Sequence, residues 1–395
     1  MSHVFAARSS LPGKEDFILT SDTSSAPMEG ARCRLLYVVG QLALGGLERQ
    51  LYYLLATLER SRYRPALVAW NVNPAEKYYR DIAALKIPIY GLPSPASPIV
   101  KLRAFRRLVR ALSPEVIHSY GFHTNFAAHY AASGTRAVAI GSLRGDFSTE
   151  KKSGGTIRGA LNARWPYIHI ANSLLCAEAV RDYRGLFAPR KIIVVRNGLD
   201  LNHFNSLGQT REAGDYVAAV GSLLPVKRWD RLVEVAEILQ TRMNVAVSIR
   251  IAGEGPLRSE LEKQAKNLGV SNEIKFDGVV QDIPTFLSRA KFLVHTSESE
   301  GCPNVIMEAM AAGIPVVAMA AGDIPYLVEE GKTGFVVRPG DNHGLASRIA
   351  TLLNDQNLCR QMGERARKRA EQEFELHSLV TRTVNAYKAA GWREE

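Results

Sequence analysis

The stretch RLLYVVG, residues 34–40, decides the fold. It is a short run of mainly apolar residues that ends in glycine, and segment 48–58 behind it has the apolar spacing of an amphipathic helix. A buried strand followed by a turn and such a helix is typical of a parallel α/β sheet. The pattern starts again at YVAAVG, residues 216–221. The two starts predict an α/β protein with two Rossmann-like, doubly wound parallel-sheet domains in tandem.

Further strands and helices alternate after each start. In the first half the pattern predicts strands at 34–40, 66–70, 116–119, 138–142, 168–171 and 191–196, and helices at 48–58, 101–112 and 177–183. In the second half it predicts strands at 216–221, 247–252, 274–276, 292–296, 315–318 and 334–337, and helices at 229–240, 257–268, 283–289, 305–312 and 345–353. Because ligands of such sheets bind outside the carboxyl ends of the strands, we expect the chemistry in a cleft between two facing domains.

The length of 395 residues fits two domains. We predict a flexible leader at 1–32, an N-terminal domain at 33–205, a linker at 206–214, a C-terminal domain at 215–370 and a C-terminal helix at 371–395. The leader lacks the apolar core of a signal peptide. No apolar run approaches the roughly 18 residues that span a bilayer. The four cysteines form no CxxC pair, so neither a zinc site nor a disulfide framework is predicted.

The net charge of +11 is unevenly distributed. Residues 1–200 contain 27 Lys and Arg against 14 Asp and Glu, whereas residues 201–395 contain 23 against 25. The basic half indicates an anionic partner, which is a nucleic acid, an anionic membrane surface or an acidic substrate. We expect no nucleic-acid partner, because no helix-turn-helix, RRM-like or zinc-finger pattern is visible.

The densest motif is SESEGCPNVIMEAMAAGIPVVA, residues 297–318. A strand that ends near residue 296 is followed by a loop with Glu300 and by a helix that starts near Pro303. Backbone N–H groups at 301–304 suit a diphosphate. Glu308 can accept both hydrogen bonds of a ribose diol, and Glu300 can contact the group beyond the phosphates. For an isolated pair with this spacing, a surface loop residue and a solvated helix residue are the commoner explanation.

This motif resembles the EX7E signature of retaining glycosyltransferases with the GT-B fold, in glycosyltransferase family 4. The resemblance covers nearly all of residues 34–391 and includes, in order, VGSLLPVKRWD (220–230), IAGEGP (251–256), FDGVVQDIP (276–284) and GKTGFVVRPGD (331–341). It implies transfer of a sugar from a nucleoside diphosphate sugar, with UDP or GDP as the nucleotide, to a hydroxyl of a glycolipid, a lipid-linked oligosaccharide or a polysaccharide precursor. It implies no cofactor and, since no DxD motif is present, no metal.

The resemblance also implies that the N-terminal domain presents the acceptor, that the C-terminal helix crosses back to that domain, and that the C-terminal domain holds the donor site. Lys227 matches the lysine that neutralises the leaving diphosphate, while Ser222 stands where many members carry an arginine. Gly45-Gly46 resembles the glycine loop of the family, which contacts a phosphate or sugar. Taken alone, the pair is explained equally well by a tight turn between a strand and a helix. The predicted donor residues are Gly45, Gly46, Ser222, Lys227, Gly253, Glu254, Val280, Glu300, Gly301, Cys302, Pro303, Asn304, Val305 and Glu308.

A second resemblance within the family is VIHSYGFHTN, residues 116–125, which is similar to its HxH-type strand end. His118 matches the first histidine and is assigned to the catalytic residues with Glu300 and Lys227. Tyr120 replaces the second histidine, and His123 follows. Which of these three faces the donor sugar stays open, as does a role for His118 in the core. Together with Arg144, Tyr120 and His123 are assigned to the acceptor side.

The helix predicted at 101–112, KLRAFRRLVRAL, combines an apolar face with five cations. The cations are either solvated or in contact with an anionic membrane surface. We favour membrane contact, and with it a cytoplasmic protein that is peripheral on the inner face of the plasma membrane. The predicted contact residues are Lys101, Arg103, Arg106, Arg107 and Arg110.

Two other functions stay open. One is a catalytically inactive sugar-nucleotide-binding or scaffold protein. Ser222 and Tyr120 favour this alternative, because they replace an arginine and a histidine of the family. The other is a sugar-nucleotide epimerase on the same fold.

Overall fold

The computed structural model describes residues 18–19, 33–205 and 214–394. Most of the predicted leader and of the predicted linker lies outside these residues. The chain divides into two compact units. The first contains the described residues up to Arg196 together with those from Leu379 onward, and the second spans Asn197–Ser378.

The first unit is built on an eight-stranded sheet. Its strands are β1 Ile18–Leu19, β2 Leu35–Val39, β3 Pro65–Ala69, β4 Ile89–Gly91, β5 Val116–Ser119, β6 Val138–Leu143, β7 Ile168–Ala171 and β8 Lys191–Val194. Their order across the sheet is β1-β4-β3-β2-β5-β6-β7-β8. Strands β2 to β8 are parallel, and only β1 pairs antiparallel, with β4.

Eight α-helices belong to the described part of the first unit, and a further helix enters it near the C-terminus. They are α1 Gly46–Thr57, α2 Arg60–Tyr63, α3 Lys77–Ala84, α4 Pro98–Leu112, α5 Asn125–Ala132, α6 Phe147–Ser153, α7 Thr156–Arg164 and α8 Leu174–Asp182, with α9 Asn202–Asn205 following in the second unit. Every residue of β2, β3 and β5 is buried. Strands that are buried on both faces need helices on both sides of the sheet, which explains their continuous apolar sequences.

The second unit has a six-stranded sheet in which all strands are parallel. Its strands are β9 Tyr216–Val220, β10 Ile249–Ala252, β11 Ile274–Gly278, β12 Ala290–His295, β13 Val316–Met319 and β14 Gly334–Val337. Its order is β11-β10-β9-β12-β13-β14. The helices are α10 Trp229–Thr241, α11 Arg258–Asn267, α12 Ile283–Ser288, α13 Asn304–Ala311, α14 Ile324–Leu327, α15 Asn342–Asn354 and α16 Gln356–Glu373, and α17 Leu376–Ala389 follows.

Both sheets reverse their strand order at one point. In the first sheet the reversal lies between β2 and β5, and in the second between β9 and β12. The loops after these neighbouring strands leave the sheet in opposite directions, which opens a crevice at the carboxyl ends. The predicted class of two doubly wound parallel-sheet domains is therefore confirmed.

Some elements were not predicted from the sequence. Strand β4 has only three residues, too few for an alternating or continuous apolar pattern. Helix α16 was not predicted before residue 371, and the segment predicted as one C-terminal helix, 371–395, contains the end of α16 and the whole of α17. No helix among the described residues has both the length and the apolar character that crossing a membrane requires.

The C-terminal residues of the first unit are anchored in its core. Tyr387 is fully buried, and its hydroxyl lies 2.8 Å from His118 Nδ1 and donates to the hydroxyl of Tyr37. The indole N–H of Trp392 donates to the Glu115 carboxylate at 2.8 Å. These contacts join residues that are more than 250 positions apart in the chain.

Replacing Tyr387 by phenylalanine tests this anchor. The change removes one hydroxyl and leaves buried polar atoms without a partner, which costs about 1–3 kcal/mol. We expect the unfolding temperature, measured by circular dichroism, to fall by several degrees. The control is Tyr167→Phe, because Tyr167 is 56% exposed. A decrease for Tyr387→Phe no larger than that of the control contradicts the expectation.

Candidate functional site

The site in the second unit forms where the strand order reverses. Strands β9 and β12 are adjacent and parallel, so the loops that follow them start side by side. The first loop ends in a turn of 3-10 helix, Pro225–Lys227. The second contains Glu300 and leads into α13. The sheet topology therefore brings together two residues that are 73 positions apart in the chain.

Glu300 is the centre of this site. Its Oε1 accepts a hydrogen bond from Lys227 Nζ at 2.6 Å and lies 2.9 Å from His295 Nε2. The Glu300 side chain is 11% exposed and that of His295 is fully buried. Lys227 and Glu300, both predicted for the donor site, are therefore in direct contact, with His295 as an additional member.

The two partners determine the ionisation of Glu300. Burial by itself raises the pKa of this carboxyl, but the hydrogen bond and charge of His295, together with Lys227, outweigh burial. They lower the pKa of Glu300 to about 2. Glu300 is therefore ionised throughout the physiological range, as an acceptor of hydrogen bonds should be.

His295 was missed by the sequence analysis. It is the last residue of β12, where a buried strand meets the loop. A histidine at the carboxyl end of a central strand was the available signal, since that edge of the sheet carries the ligand site. Its Nδ1 and the nearby Ser297 hydroxyl are buried and have no hydrogen-bond partner among the described residues.

Backbone contacts hold the two loops against each other. The Thr296 hydroxyl donates to the Lys227 carbonyl at 2.9 Å, and the Glu298 N–H donates to the Val226 carbonyl at 3.0 Å. Arg228 has a left-handed backbone with φ 51° and forms ion pairs with Asp230 and Glu298. The Arg228 guanidinium is thus committed to carboxylates, which leaves Lys227 as the cation beside Glu300.

Close backbone packing explains the glycines that follow β10. The N–H of Gly253 donates to the Gly278 carbonyl at 2.7 Å, and a Cβ on Gly253 would overlap the Gly221 carbonyl. Ser222 is exposed and accepts a bond from the Trp229 indole through its carbonyl. Glu254 pairs with Arg258, and Val280 is half-buried after β11. These loops, which follow β9, β10 and β11, lie with the loop after β12 at the carboxyl edge of one parallel sheet.

Helix α13 begins at Asn304, within one residue of the predicted start, and Pro303 is its N-cap. The Cys302 side chain is buried in the hydrophobic core, so only its backbone can reach a ligand. Asn197 donates to the Cys302 carbonyl and to the Asn304 side chain, which fixes the start of the helix. Glu308 is only 4% exposed, which contradicts the alternative of a solvated helix residue.

The first unit contains the predicted glycine pair. Gly45 is the N-cap of α1, Gly46 is its first residue, and the Glu48 carboxylate comes so close that a Cβ on Gly45 would overlap it. A carboxylate in the first turn satisfies the positive end of the helix. A phosphate at Gly45 and Gly46 would therefore have to displace Glu48.

His118 lies inside the first unit. It is 1% exposed, and its two ring nitrogens lie 2.8 Å from the Tyr387 hydroxyl and 3.0 Å from the Ser142 hydroxyl. Burial lowers its pKa well below the usual value, and the charge of Arg144 adds to this effect. A catalytic contact of His118 with a substrate, as predicted, would require one of these two bonds to break.

Tyr120, Arg144 and His123 differ in accessibility. Tyr120 is 1% exposed and lies under the Arg144 guanidinium, whose carbon is 4.0 Å from the ring centroid. His123 is exposed and lines a cavity of about 540 Å³ at the carboxyl ends of β2, β3 and β5. Of the three histidine-motif residues, only His123 is accessible in the first unit.

The basic helix corresponds to α4, and one of its five cations is not on the surface. The Lys101 ammonium is buried and donates to the Trp70 carbonyl at 2.9 Å and to the Asn71 side chain at 2.7 Å. Arg106 donates to the Ser133 carbonyl. The predicted membrane contact by Lys101 is therefore wrong, because its charge is used inside the unit. The exposed cations of α4 are Arg103, Arg107 and Arg110.

Within the part of the chain that the structure describes, no three His, Cys, Asp or Glu side chains are grouped so as to hold a metal ion. The cysteines in this part are all free thiols.

Two family models match the chain in succession. Glycosyltransferase Family 4 matches residues 44–203, and Glycosyl transferases group 1 matches residues 208–369. The first match includes strands β3 to β8 of the first unit, the second includes all six strands of the second unit, and the order of the matches is the order of the units.

Individual relatives agree with these models. The chain is 27% identical over 169 residues to N-acetyl-α-D-glucosaminyl L-malate synthase of Bacillus anthracis, which is 42% of this chain and 44% of that protein. It is 27% identical over 294 residues to glycogen synthase of Mycobacterium tuberculosis, 71% of this chain and 70% of that protein. The chain spans less than half the length of the first curated relatives that it matches.

The fold also has solved counterparts. The structure of Anabaena HepE in complex with UDP and glucose superposes with a TM-score of 0.75 at 23% identity, over 90% of this chain and 100% of that one. Likeness at this level of identity concerns the fold. Since the two glycosyltransferase models together match most of residues 44–369 and the chain has the two-sheet fold of its solved counterparts, the chain belongs to the family 4 type of GT-B glycosyltransferases.

Proposed function

We propose that this chain transfers a sugar from a nucleoside diphosphate sugar to a hydroxyl of an acceptor, with retention of configuration at the anomeric carbon. The observation that carries the proposal is the buried contact of Glu300 with Lys227 and His295. An ionised carboxylate beside a flexible ammonium group, at the carboxyl edge of a parallel sheet, suits a ligand with both hydroxyls and phosphate charge.

Lys227 is the proposed cation at the leaving group. Its ammonium is partly accessible, since 21% of the side chain is exposed. When the bond between the sugar and the diphosphate breaks, negative charge grows on the phosphate oxygen. An ammonium group that is held beside a buried carboxylate can turn to that oxygen and stabilise the charge in a site of low polarity.

Glu300 and Glu308 are the proposed acceptors of donor hydroxyls. Glu300 receives the hydroxyls of the sugar, and Glu308 receives the ribose diol. When Lys227 turns to the phosphate, the bond from His295 still fixes the Glu300 carboxylate and keeps it ionised. The backbone of residues 301–304, at the start of α13, is the proposed contact for the diphosphate.

The proposed reaction is attack on the donor from the face that the leaving group occupies. The acceptor oxygen bonds to the anomeric carbon as the bond from that carbon to the phosphate oxygen breaks. The departing phosphate oxygen takes the proton of the acceptor hydroxyl, so no enzyme base is needed. UDP is the proposed nucleotide, and the HepE structure in complex with UDP and glucose supports it by analogy of fold.

The proposed acceptor is carried by a glycolipid, a lipid-linked oligosaccharide or a polysaccharide precursor at an anionic membrane surface. One face of α4 supports the membrane contact. Ile99 is 61% exposed at the start of the helix, and the exposed Arg103, Arg107 and Arg110 follow at helical spacing. An apolar tip beside several cations suits the headgroup region of anionic lipids, with each cation worth about 1 kcal/mol.

A panel of UDP-, GDP-, ADP- and dTDP-sugars tests the donor site. We expect a UDP-sugar to raise the unfolding temperature of the wild type, because a ligand that binds only the folded state stabilises it. In Lys227→Ala the shift should shrink, and kcat/KM for transfer should fall about 10²–10³-fold. Lys263→Ala, which changes an exposed lysine of the same unit, serves as the matched control.

Three outcomes separate the candidate functions. If no donor in the panel stabilises the wild type, the transferase proposal is wrong. Stabilisation without transfer or turnover indicates a sugar-nucleotide-binding scaffold. Conversion of the donor to an isomer in the absence of any acceptor indicates an epimerase.

The lowered pKa of Glu300 predicts a dependence of stability on pH. Its usual pKa of 4.5 is lowered to about 2 in the folded chain, so its ionised form stabilises the fold above pH 4.5. This contribution is lost as the pH falls from 4.5 towards 2. We therefore expect the wild type to exceed Glu300→Gln in free energy of unfolding at pH 7, and the difference to narrow by pH 3. Urea titrations at both values measure it.

The exposed Glu260 supplies the control for this experiment. The free energy of unfolding of Glu260→Gln should differ little from that of the wild type at either pH. If wild type and Glu300→Gln differ in free energy of unfolding by the same amount at pH 7 and at pH 3, the ion pair of Glu300 with Lys227 is contradicted.

Reversing the exposed charges of α4 tests the membrane contact. We expect the triple variant Arg103→Glu, Arg107→Glu, Arg110→Glu to lose co-sedimentation with vesicles of phosphatidylglycerol while the thermal shift by the donor stays unchanged. The matched variant Arg360→Glu, Arg365→Glu, Lys368→Glu reverses three exposed cations of α16 and should still bind. Equal vesicle binding by both variants overturns the proposal for α4.

A further inference from the structure

The first unit contains a second cavity, of about 480 Å³, that none of the predicted site residues lines. It lies at the amino ends of β6 and β7, between the segments that lead into these strands, with Arg190 before β8 and Ala390 after α17 completing the wall. The carboxyl edge of the sheet is one strand length away, which for the six residues of β6 is about 20 Å. A ligand in this cavity is therefore separate from anything bound at the carboxyl edge.

The wall of this amino-edge cavity carries positive charge and no negative charge. Arg164, the last residue of α7, and Arg190 line the cavity, and no Asp or Glu side chain does. His129 also lines it, and burial lowers the pKa of its imidazole, so this ring is neutral at pH 7. The volume is within the range of about 300–1,000 Å³ that is usual for small-molecule sites. Size and charge therefore favour a small anionic ligand.

One hydrogen-bond donor of Arg164 lacks a partner. Its Nη1 is buried and makes no hydrogen bond to the described residues. A buried charged donor without a partner destabilises the folded chain more than a neutral one does. The oxygen atoms of a bound anion would satisfy it, since guanidinium groups bind phosphate and carboxylate through two parallel N–H bonds. The unpaired nitrogen thus indicates an anion independently of the charge of the wall.

Aromatic rings, and not carboxylates, hold the two guanidinium groups. The central carbon of the Arg164 guanidinium lies 5.7 Å from the centroid of the Trp165 ring, and that of Arg190 lies 5.6 Å from the centroid of Tyr167. A ring face attracts the positive charge without taking up the N–H donors as a carboxylate does. Among the residues that the structure describes, no Asp or Glu forms a salt bridge with either arginine. Both guanidinium groups therefore keep donors for a ligand.

The frame of the amino-edge cavity is fixed by its neighbours. The Trp165 ring stacks on His129, with 5.9 Å between the ring centroids and 24° between the planes. Arg106 of α4 donates to the carbonyls of Tyr130 and Ser133 at 3.4 and 3.1 Å, which ties the end of α5 to α4. Groups that are arranged in advance bind a ligand with a smaller loss of conformational entropy.

We propose that the amino-edge cavity binds a phosphate monoester, whose phosphate contacts Arg164 and Arg190 and whose apolar or ring-shaped body packs against Trp165. A phosphate monoester carries close to two negative charges at pH 7, which matches two guanidinium groups better than a single carboxylate does. Pro166 and Ile168 supply further apolar wall for the body of the ligand. The site lies outside the machinery of sugar transfer, so the proposal does not depend on the proposed function.

Titration with phenyl phosphate tests this site. The probe is titrated into the full chain, and isothermal titration calorimetry measures Kd. We expect the wild type to bind, and Arg164→Gln and Arg190→Gln each to weaken binding at least tenfold, because each variant loses a charged partner of the phosphate. Arg136→Gln is the matched control and should bind like the wild type, because Arg136 is exposed in the loop before β6 and does not line the cavity.

Four results overturn the proposal. They are no binding of phenyl phosphate to the wild type, wild-type affinity in both Arg164→Gln and Arg190→Gln, an equal loss in Arg136→Gln, and binding of benzoate or benzyl alcohol as tight as that of phenyl phosphate. Circular dichroism checks that each variant is folded. If Arg164→Gln does not fold, Arg190→Gln decides alone, because Arg190 is exposed.

A further variant, Lys227→Ala, separates this site from the proposed donor site, which also takes phosphate. Binding of phenyl phosphate that is lost in Lys227→Ala and kept in Arg164→Gln assigns the probe to the donor site and overturns the amino-edge site. Binding that persists in Lys227→Ala supports the amino-edge site. It supports the site even where no nucleotide sugar stabilises the chain and the transferase proposal fails.

A free phosphate monoester and a lipid headgroup share this chemistry, and vesicles distinguish them. Phosphatidic acid presents a phosphate monoester, whereas phosphatidylglycerol presents a diester. If the wild type co-sediments more strongly than Arg164→Gln with vesicles of phosphatidic acid only, a lipid headgroup is the source. If the two proteins bind both kinds of vesicle equally while phenyl phosphate still distinguishes them, the ligand is a soluble phosphate monoester.

Discussion

The parallel alignment of the strands is the constraint on which the rest of the structure depends. All carboxyl ends of a parallel sheet lie at one edge, and the strand order reverses next to β2 in one unit and next to β9 in the other. Loops that leave the sheet in opposite directions at that point open a crevice. Both the site around Glu300 and the cavity lined by His123 lie at such an edge. The topology therefore determines where these two form before any side chain is considered.

Within the second unit, one buried carboxylate organises the site chemically. Glu300 is kept ionised by His295, at the end of the strand that precedes it, and by Lys227, from the loop after β9. A buried charge is tolerated only where it is paired and hydrogen-bonded. The loops after β9 and β12 must therefore be held at a fixed separation, and the bonds of Thr296 and Glu298 to the Lys227 loop provide this.

The units differ in how much of their site could be predicted from sequence. In the second unit, Lys227 and Glu300 stand in long recognisable motifs, and strand ends came within one or two residues of the observed ones. In the first unit, Arg164 stands at the end of a helix without a motif, and Lys101 looked like a surface cation because helical spacing does not report a neighbour 30 positions away. His118 matched a motif, yet both of its ring nitrogens are engaged inside the unit.

The sequence by itself determined the two α/β domains, the place where the second begins and the family, because apolar periodicity and ordered motifs are local properties of the chain. Only the tertiary structure decided which polar groups meet. It paired Glu300 with His295 and Lys227, used Lys101 to hold Asn71, buried His118 against Tyr387, and left Arg164 Nη1 beside a cavity without a partner among the described residues. The physical reason is that hydrogen bonds and burial depend on distance in space, which is set by strand order and not by separation along the chain.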